Sequence, residues 1–146
     1  MNWLRRRLGG AERGSAVVEF LVVGILLALP VFYLVITLAR LQAGTYAVTA
    51  AARESARTFV AADTVPTARQ RSAAAARLAF QDQGFGSQGQ VSARCGGVCL
   101  TRGSTVKTRA DLSVDLPLIP DFLRGVVPSS ISVSATHTEA VDRFKR

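Results

Sequence analysis

The stretch Leu21 to Ala39, LVVGILLALPVFYLVITLA, holds nineteen residues without a charge, and its reading decides the fold. At about 1.5 Å rise per residue, a helix of this length covers roughly 28 Å, close to the ~30 Å hydrocarbon core of a bilayer. Extending it back to Ser15 adds six residues, of which only Glu19 is charged. Pro30 is expected to kink the helix rather than end it, because neighbouring groups in a membrane satisfy the freed backbone carbonyl. A secretory signal peptide has an apolar region of about 7–15 residues followed by a small-x-small site. This run is longer, and no such site follows it. LQAG, Leu41 to Gly44, lacks the cysteine that a lipoprotein box needs. A retained span is the better reading.

Arg5, Arg6, Arg7 and Arg13 precede the span, whereas Arg40 alone directly follows it. The positive-inside bias puts Met1 to Gly14 in the cytoplasm and everything after about Arg40 outside. Of the 146 residues 49% are hydrophobic, and they crowd toward the N-terminus. The remainder is rich in Ala, Ser, Thr, Gly and Arg, so the core beyond the span is expected to be small and to need a partner, membrane lipid or protein. The net charge of +8 is spread along Arg53, Arg57, Arg69, Arg71, Arg77 and onward. It forms no basic stripe interleaved with aromatics, and Trp3 is the only tryptophan. Nucleic acid is not an expected partner.

Just before the span runs Glu12-Arg13-Gly14-Ser15-Ala16-Val17-Val18-Glu19-Phe20. Gly14 beside the small Ser15 is the easiest place to unwind a helix for a peptidase at the bilayer interface. A cut there leaves a cationic α-amine on Ser15 where the apolar stretch begins. A carboxylate deep in a membrane costs on the order of 2–3 kcal/mol and normally finds a partner. On its own, Glu19 also fits the interfacial edge of the helix, with Arg13 nearby to neutralise it.

Beyond the span, Leu41, Thr45, Val48, Ala52, Ala56 and Phe59 recur at spacings of three and four and form one narrow face. Arg53, Glu54 and Arg57 lie opposite, with Glu54 and Arg57 one turn apart. One helix from about Ser15 to Val60 is expected. Within it, Ala51-Ala52-Arg53-Glu54-Ser55-Ala56-Arg57 resembles the A-A-R-E-G-A-R run of TadE-like proteins, pseudopilins of the tight-adherence (Flp-type) pilus machinery. Val18-Glu19-Phe20 resembles their V-E-F start, and Ala39-Arg40 the small-Arg pair that closes their span. Ser55 stands where glycine is more usual, an exchange expected to be neutral inside a helix. The resemblance covers Arg13 to Arg57, under a third of the chain. It implies cleavage between Gly14 and Ser15 by a prepilin peptidase, and pairing of Glu19, with Phe20 beside it, to a mature N-terminal amine. It also implies partnership with other pilin-type subunits and the pilus assembly platform. The alternative is an unprocessed, signal-anchored envelope protein with an extracytoplasmic binding or scaffold domain.

Ala61 to Pro66 should break the first helix, and Thr64 or Val65 with Pro66 should start a second. That helix, Thr67 to Gln83, presents Leu78, Ala79 and Phe80 as its main apolar surface, exposes Arg69, Arg71 and Arg77, and is capped by Gly84. Gly84 to Gln90 reads as a turn region. From Val91 the period becomes two. Val106, Ala110, Leu112, Val114 and Leu116 alternate with Lys107, Arg109, Asp111, Ser113 and Asp115 as a strand with one buried face. Pro117, Pro120, Gly125 and Pro128 punctuate a loop carrying Leu118, Ile119, Phe122 and Leu123. Ile131, Val133 and Ala135 mark a return strand, and a third strand around Val91 to Arg94, continuing after the cysteines, completes a small antiparallel sheet that a helix must cover.

Cys95 and Cys99 bracket CGGVC. Outside an oxidising boundary they read as one disulfide closing a tight loop, with free thiols as the alternative. Zinc would need two more ligands, and His137 is the only histidine, so neither a metal nor another cofactor is expected. His137 reads as a surface strand residue, and no nucleophile or acid–base constellation points to an enzyme. The expected fold is α+β: a basic leader (1–14), a membrane-spanning and projecting helix (15–60), and a small extracytoplasmic domain (61–146). The expected location is a bacterial cell membrane, single-pass, with incorporation into a surface pilus as the further step.

Overall fold

The computed structural model describes residues 11–117, 119, 125 and 128–144. The expected leader up to residue 10, and Leu118, Pro120, Phe122 and Leu123 of the expected proline-punctuated loop, lie outside the described residues. The fold is α+β: α1 (Ala11–Val60), α2 (Val65–Asp82), β1 (Gly89–Cys95), β2 (Thr105–Asp115) and β3 (Ser130–Ala140). The strands form one antiparallel sheet in the order β1-β2-β3. The chain divides into two compact units, Met1–Leu38 and Ala39–Arg146, and α1 contributes residues to both.

In the first unit, α1 runs through Pro30 without interruption. Most of its large apolar side chains from Val17 to Leu38, Phe20, Leu26, Leu29 and Phe32 among them, are exposed. The helix is long and apolar enough to cross a membrane. Helical backbone is already present at Ala11, four residues before the expected start at Ser15.

In the second unit, the last part of α1 and α2 cover one face of the sheet. Strand β2 alternates as its sequence demands: Val106, Thr108, Ala110, Leu112 and Val114 are buried, while Lys107, Arg109, Ser113 and Asp115 are exposed. One core cluster joins Ala47, Val48, Ala51 and Ala52 of α1, Ala76, Ala79 and Phe80 of α2, Phe85, and Ala110, Leu112 and Val114 of β2. A second joins Phe59, Ala62, Ala68, Val106 and Val141, with Cys95, Cys99 and Leu100 packed against it.

The buried face of α1 differs from the expected one at Thr45. Its side chain is exposed and donates to the Gln42 carbonyl at 2.8 Å, while Gly44 and Ala47 turn inward. The apolar surface of α2 also differs. Leu78 is 57% exposed, and the helix buries Ala68, Ser72, Ala76, Ala79 and Phe80 instead. Small side chains win here because α1 and α2 approach closely: the Ser55 hydroxyl, fully buried, donates to the Ser72 carbonyl at 3.1 Å. Ser55 is thus a tether between two helices, not the neutral exchange for glycine that a helix-only view expects.

Both ends of α2 are fixed by local chemistry. Thr64 is the N-cap, in extended backbone, and its Oγ1 accepts from the Thr67 amide at 3.4 Å; Pro66 lies in the first turn. At the other end Gly84 takes φ +77°, the Gly84 amide donates to Gln81 O and the Phe85 amide to Phe80 O, each at 2.9 Å. This is a Schellman closure, with Phe80 and Phe85 sharing one core cluster as its apolar contact. No strand follows the cysteines before β2. The connection from Cys95 to Ser104 is a loop, and its end is held to the chain after β3 by amide donations from Gly103 to Val141 and from Val141 to Ser104.

Candidate functional site

The residues singled out by sequence fall in three places. The Gly14–Ser15 bond lies on the helical backbone of α1. Glu19 and Phe20 follow within the exposed apolar surface of the first unit, Phe20 being 76% exposed. The Glu19 side chain makes no hydrogen bond or ion pair with any described side chain. A carboxylate in such surroundings is the group for which a cationic partner matters most.

The AARESAR segment lies in the second unit and splits by face. Ala51, Ala52, Ser55 and Ala56 are buried, their small size letting β2 and α2 approach. The Thr108 hydroxyl, on β2, donates to the Ala52 carbonyl at 2.6 Å. Arg53 and Arg57 are exposed, and Arg57 reaches the half-buried Glu54 at 3.4 Å, one turn away. Both side chains of that pair are well solvated, so it contributes at most a few tenths of a kcal/mol, about 0.3–0.5. The segment's role in this fold is close packing, with its charges left on the outer surface.

Arg40 does more than end the apolar stretch. Its guanidinium lies over the Phe85 ring, 4.5 Å from the centroid, just beyond the Schellman turn of α2. Such a contact is worth about 0.5–1 kcal/mol at an accessible site. It ties the start of the second unit to the α2–β1 connection. A sequence reading had no signal for this, because the two residues are far apart along the chain.

Cys95 and Cys99 are joined as a disulfide, with Cα atoms 5.3 Å apart. Gly96 donates its amide to the Thr105 carbonyl at 2.8 Å, continuing the β1–β2 ladder into the loop. Val98 stands at the tip, 75% exposed. His137 is a half-exposed strand residue that lies opposite Thr108, on the row that faces the helices. Its Nε2 is 3.1 Å from Glu139 Oε2 on the same strand. Among the described residues no group of three or more His, Cys, Asp or Glu side chains is arranged to hold a metal ion.

Compared with protein-family models, with curated proteins and with solved structures, the chain matches none.

Proposed function

We propose that this chain is a TadE-like pseudopilin: a single-pass membrane subunit, leader inside and second unit outside, that takes part in assembling a pilus of the tight-adherence type. Processing after Gly14 frees the Ser15 amine, and Glu19 pairs with it, in its own chain or in a neighbour, so that apolar helices pack side by side in register. The role is structural rather than catalytic. The observation that carries this reading is a long helix whose apolar residues find no cover among the described residues, interrupted by one acid five residues after a glycine. An uncovered apolar surface of that extent needs lipid or other helices around it.

A second reading, an unprocessed envelope anchor, is favoured by one feature. The backbone is helical through Gly14–Ser15, whereas a peptidase must open the bond it cuts. N-terminal sequencing of the protein from its own membrane separates the two. The pseudopilin reading expects Ser15 as the first residue, and Gly14→Leu leaves a full-length precursor that no longer enters surface fibres. A mature chain beginning at Met1, or one beginning at Ser15 in cells lacking prepilin peptidase, removes it.

A further inference from the structure

The helices cover only one face of the sheet. The other face carries Gln90, Ser92 and Arg94 of β1, Lys107, Arg109, Asp111 and Ser113 of β2, and Ser132, Ser134, Thr136 and Thr138 of β3. The register sets Arg94 directly opposite Lys107 and Ser92 opposite Arg109. Like charges facing each other across two strands destabilise a sheet, and among the described residues no acid pairs with either of them. The side chains of Arg94 and Lys107 make no hydrogen bond or ion pair with any described residue. Arg109, by contrast, is neutralised and aimed. Its Nε donates to both oxygens of Asp111 at 2.9 and 3.0 Å, and its Nη2 donates to Ser134 Oγ at 3.1 Å. The Asp111 contact holds the guanidinium firmly protonated.

Two shallow depressions meet at Arg109. One, of about 420 Å³, is lined by Ser92, Arg94, Lys107, Arg109 and Thr136 and is cationic. The other, of about 470 Å³, offers Gln88, Gln90, Ser113, Ser132 and Ser134 beside the paired Arg109 and Asp111, with the apolar Leu112 and Val133 also in its lining. Among the described residues, the face has no aromatic ring on which a base would stack, so these residues form no platform of the usual kind for single-stranded nucleic acid. Nor do the described residues of this face present a protruding apolar side chain to enter a bilayer beside the cations. What it offers is an unmet pair of cations next to a field of hydroxyl and amide groups, with an Arg–Asp pair between them.

We infer that this open sheet face binds an acidic polysaccharide, a uronate polymer whose carboxylate sits between Arg94 and Lys107 while the hydroxyls of the adjoining sugar lie against Gln90, Ser132 and Ser134. The carboxylate relieves the like-charge pair through charge-assisted hydrogen bonds, and the polyol contacts distinguish a sugar acid from a bare polyanion. The inference needs neither processing at Gly14 nor entry into a fibre, so it stands or falls apart from the pseudopilin reading.

The test uses the full chain in detergent, titrated with polygalacturonate, with neutral dextran, inorganic polyphosphate and glycerophosphate (the soluble headgroup of an anionic lipid) as parallel probes. Polygalacturonate should bind, more weakly as salt rises. The exposed double substitution Arg94→Gln/Lys107→Gln should weaken it by about tenfold, the loss expected for one or two charged hydrogen bonds. Arg69→Gln/Arg71→Gln, which removes the same charge from the exposed surface of α2, should leave binding unchanged. Gln90→Ala/Ser132→Ala should weaken polygalacturonate and spare any residual polyphosphate binding. Four results overturn the inference: no binding of polygalacturonate, equal binding of polyphosphate or glycerophosphate, equal binding of dextran, or an equal loss from the α2 variant.

Discussion

Gly89 and Gly24 show how differently one residue type serves the two units. A methyl group on Gly89, the first residue of β1, would collide with the Phe80 ring, so glycine there is what lets α2 lie against the sheet. A methyl group on Gly24 meets nothing within 4 Å. Gly89→Ala should therefore lower the stability of the second unit by about 1–3 kcal/mol, the usual range for forcing extra volume into a packed core. Gly24→Ala should leave it unchanged. Chemical denaturation of the full chain in detergent, followed by near-ultraviolet circular dichroism, reads both. Equal stability of the two variants would remove the close-approach argument. At this scale the sequence was least legible. Gly89 looked like part of a flexible turn, Ser55 like a neutral exchange and Arg40 like the end of a span. Each owes its role to a partner outside its own element, Phe80, Ser72 and Phe85 respectively, and no pattern within one element encodes such pairs.

Among the elements, β2 was legible because its alternation is strict and one face is fully buried, so that a slip of one residue would turn Lys107 and Arg109 inward. Helix α2 was half legible. Its ends announce themselves through Thr64-Val65-Pro66 and Gly84, whereas its buried face is made of Ala68, Ser72 and Ala76, which hydrophobicity alone ranks below Leu78. Where two helices approach closely, side-chain size decides which face turns inward, and the larger apolar residue is left outside. The ends yield a prediction. Thr64→Ala removes the cap to the Thr67 amide and should cost about 1 kcal/mol. Gly84→Ala places a side chain at φ +77° and should cost about 1–2 kcal/mol, even though the added methyl group would meet only Arg40 Nη1, at 3.9 Å. The two sites lie at opposite ends of α2 and share no partner, so the losses should add. Thermal unfolding of the two single variants and the double variant measures this. A double variant no less stable than the worse single one would mean that α2 is held by packing alone.

At the scale of the molecule, orientation and redox chemistry are coupled. The proposed topology puts the CGGVC loop on the oxidising side of the membrane, where the Cys95–Cys99 bridge persists, and the opposite topology would leave both thiols in a reducing cytoplasm. Orientation rests on the leader arginines set against Arg40 alone. In cells carrying the natural chain, a thiol-reactive maleimide added after lysis should label neither cysteine until a reductant is supplied. Replacing Arg5, Arg6 and Arg7 with Gln weakens the inside bias without touching Gly14, Glu19 or the second unit. Part of that population should then insert the other way round and show maleimide labelling with no reductant. The bridge closes a very short loop and contributes about 2 kcal/mol by the chain-entropy argument, so the inverted molecules should also lose their second unit to added protease faster than the natural chain does. If the natural chain labels fully without reductant, its second unit lies inside. No processing event at Gly14 could then deliver it to a surface fibre, whatever Glu19 pairs with.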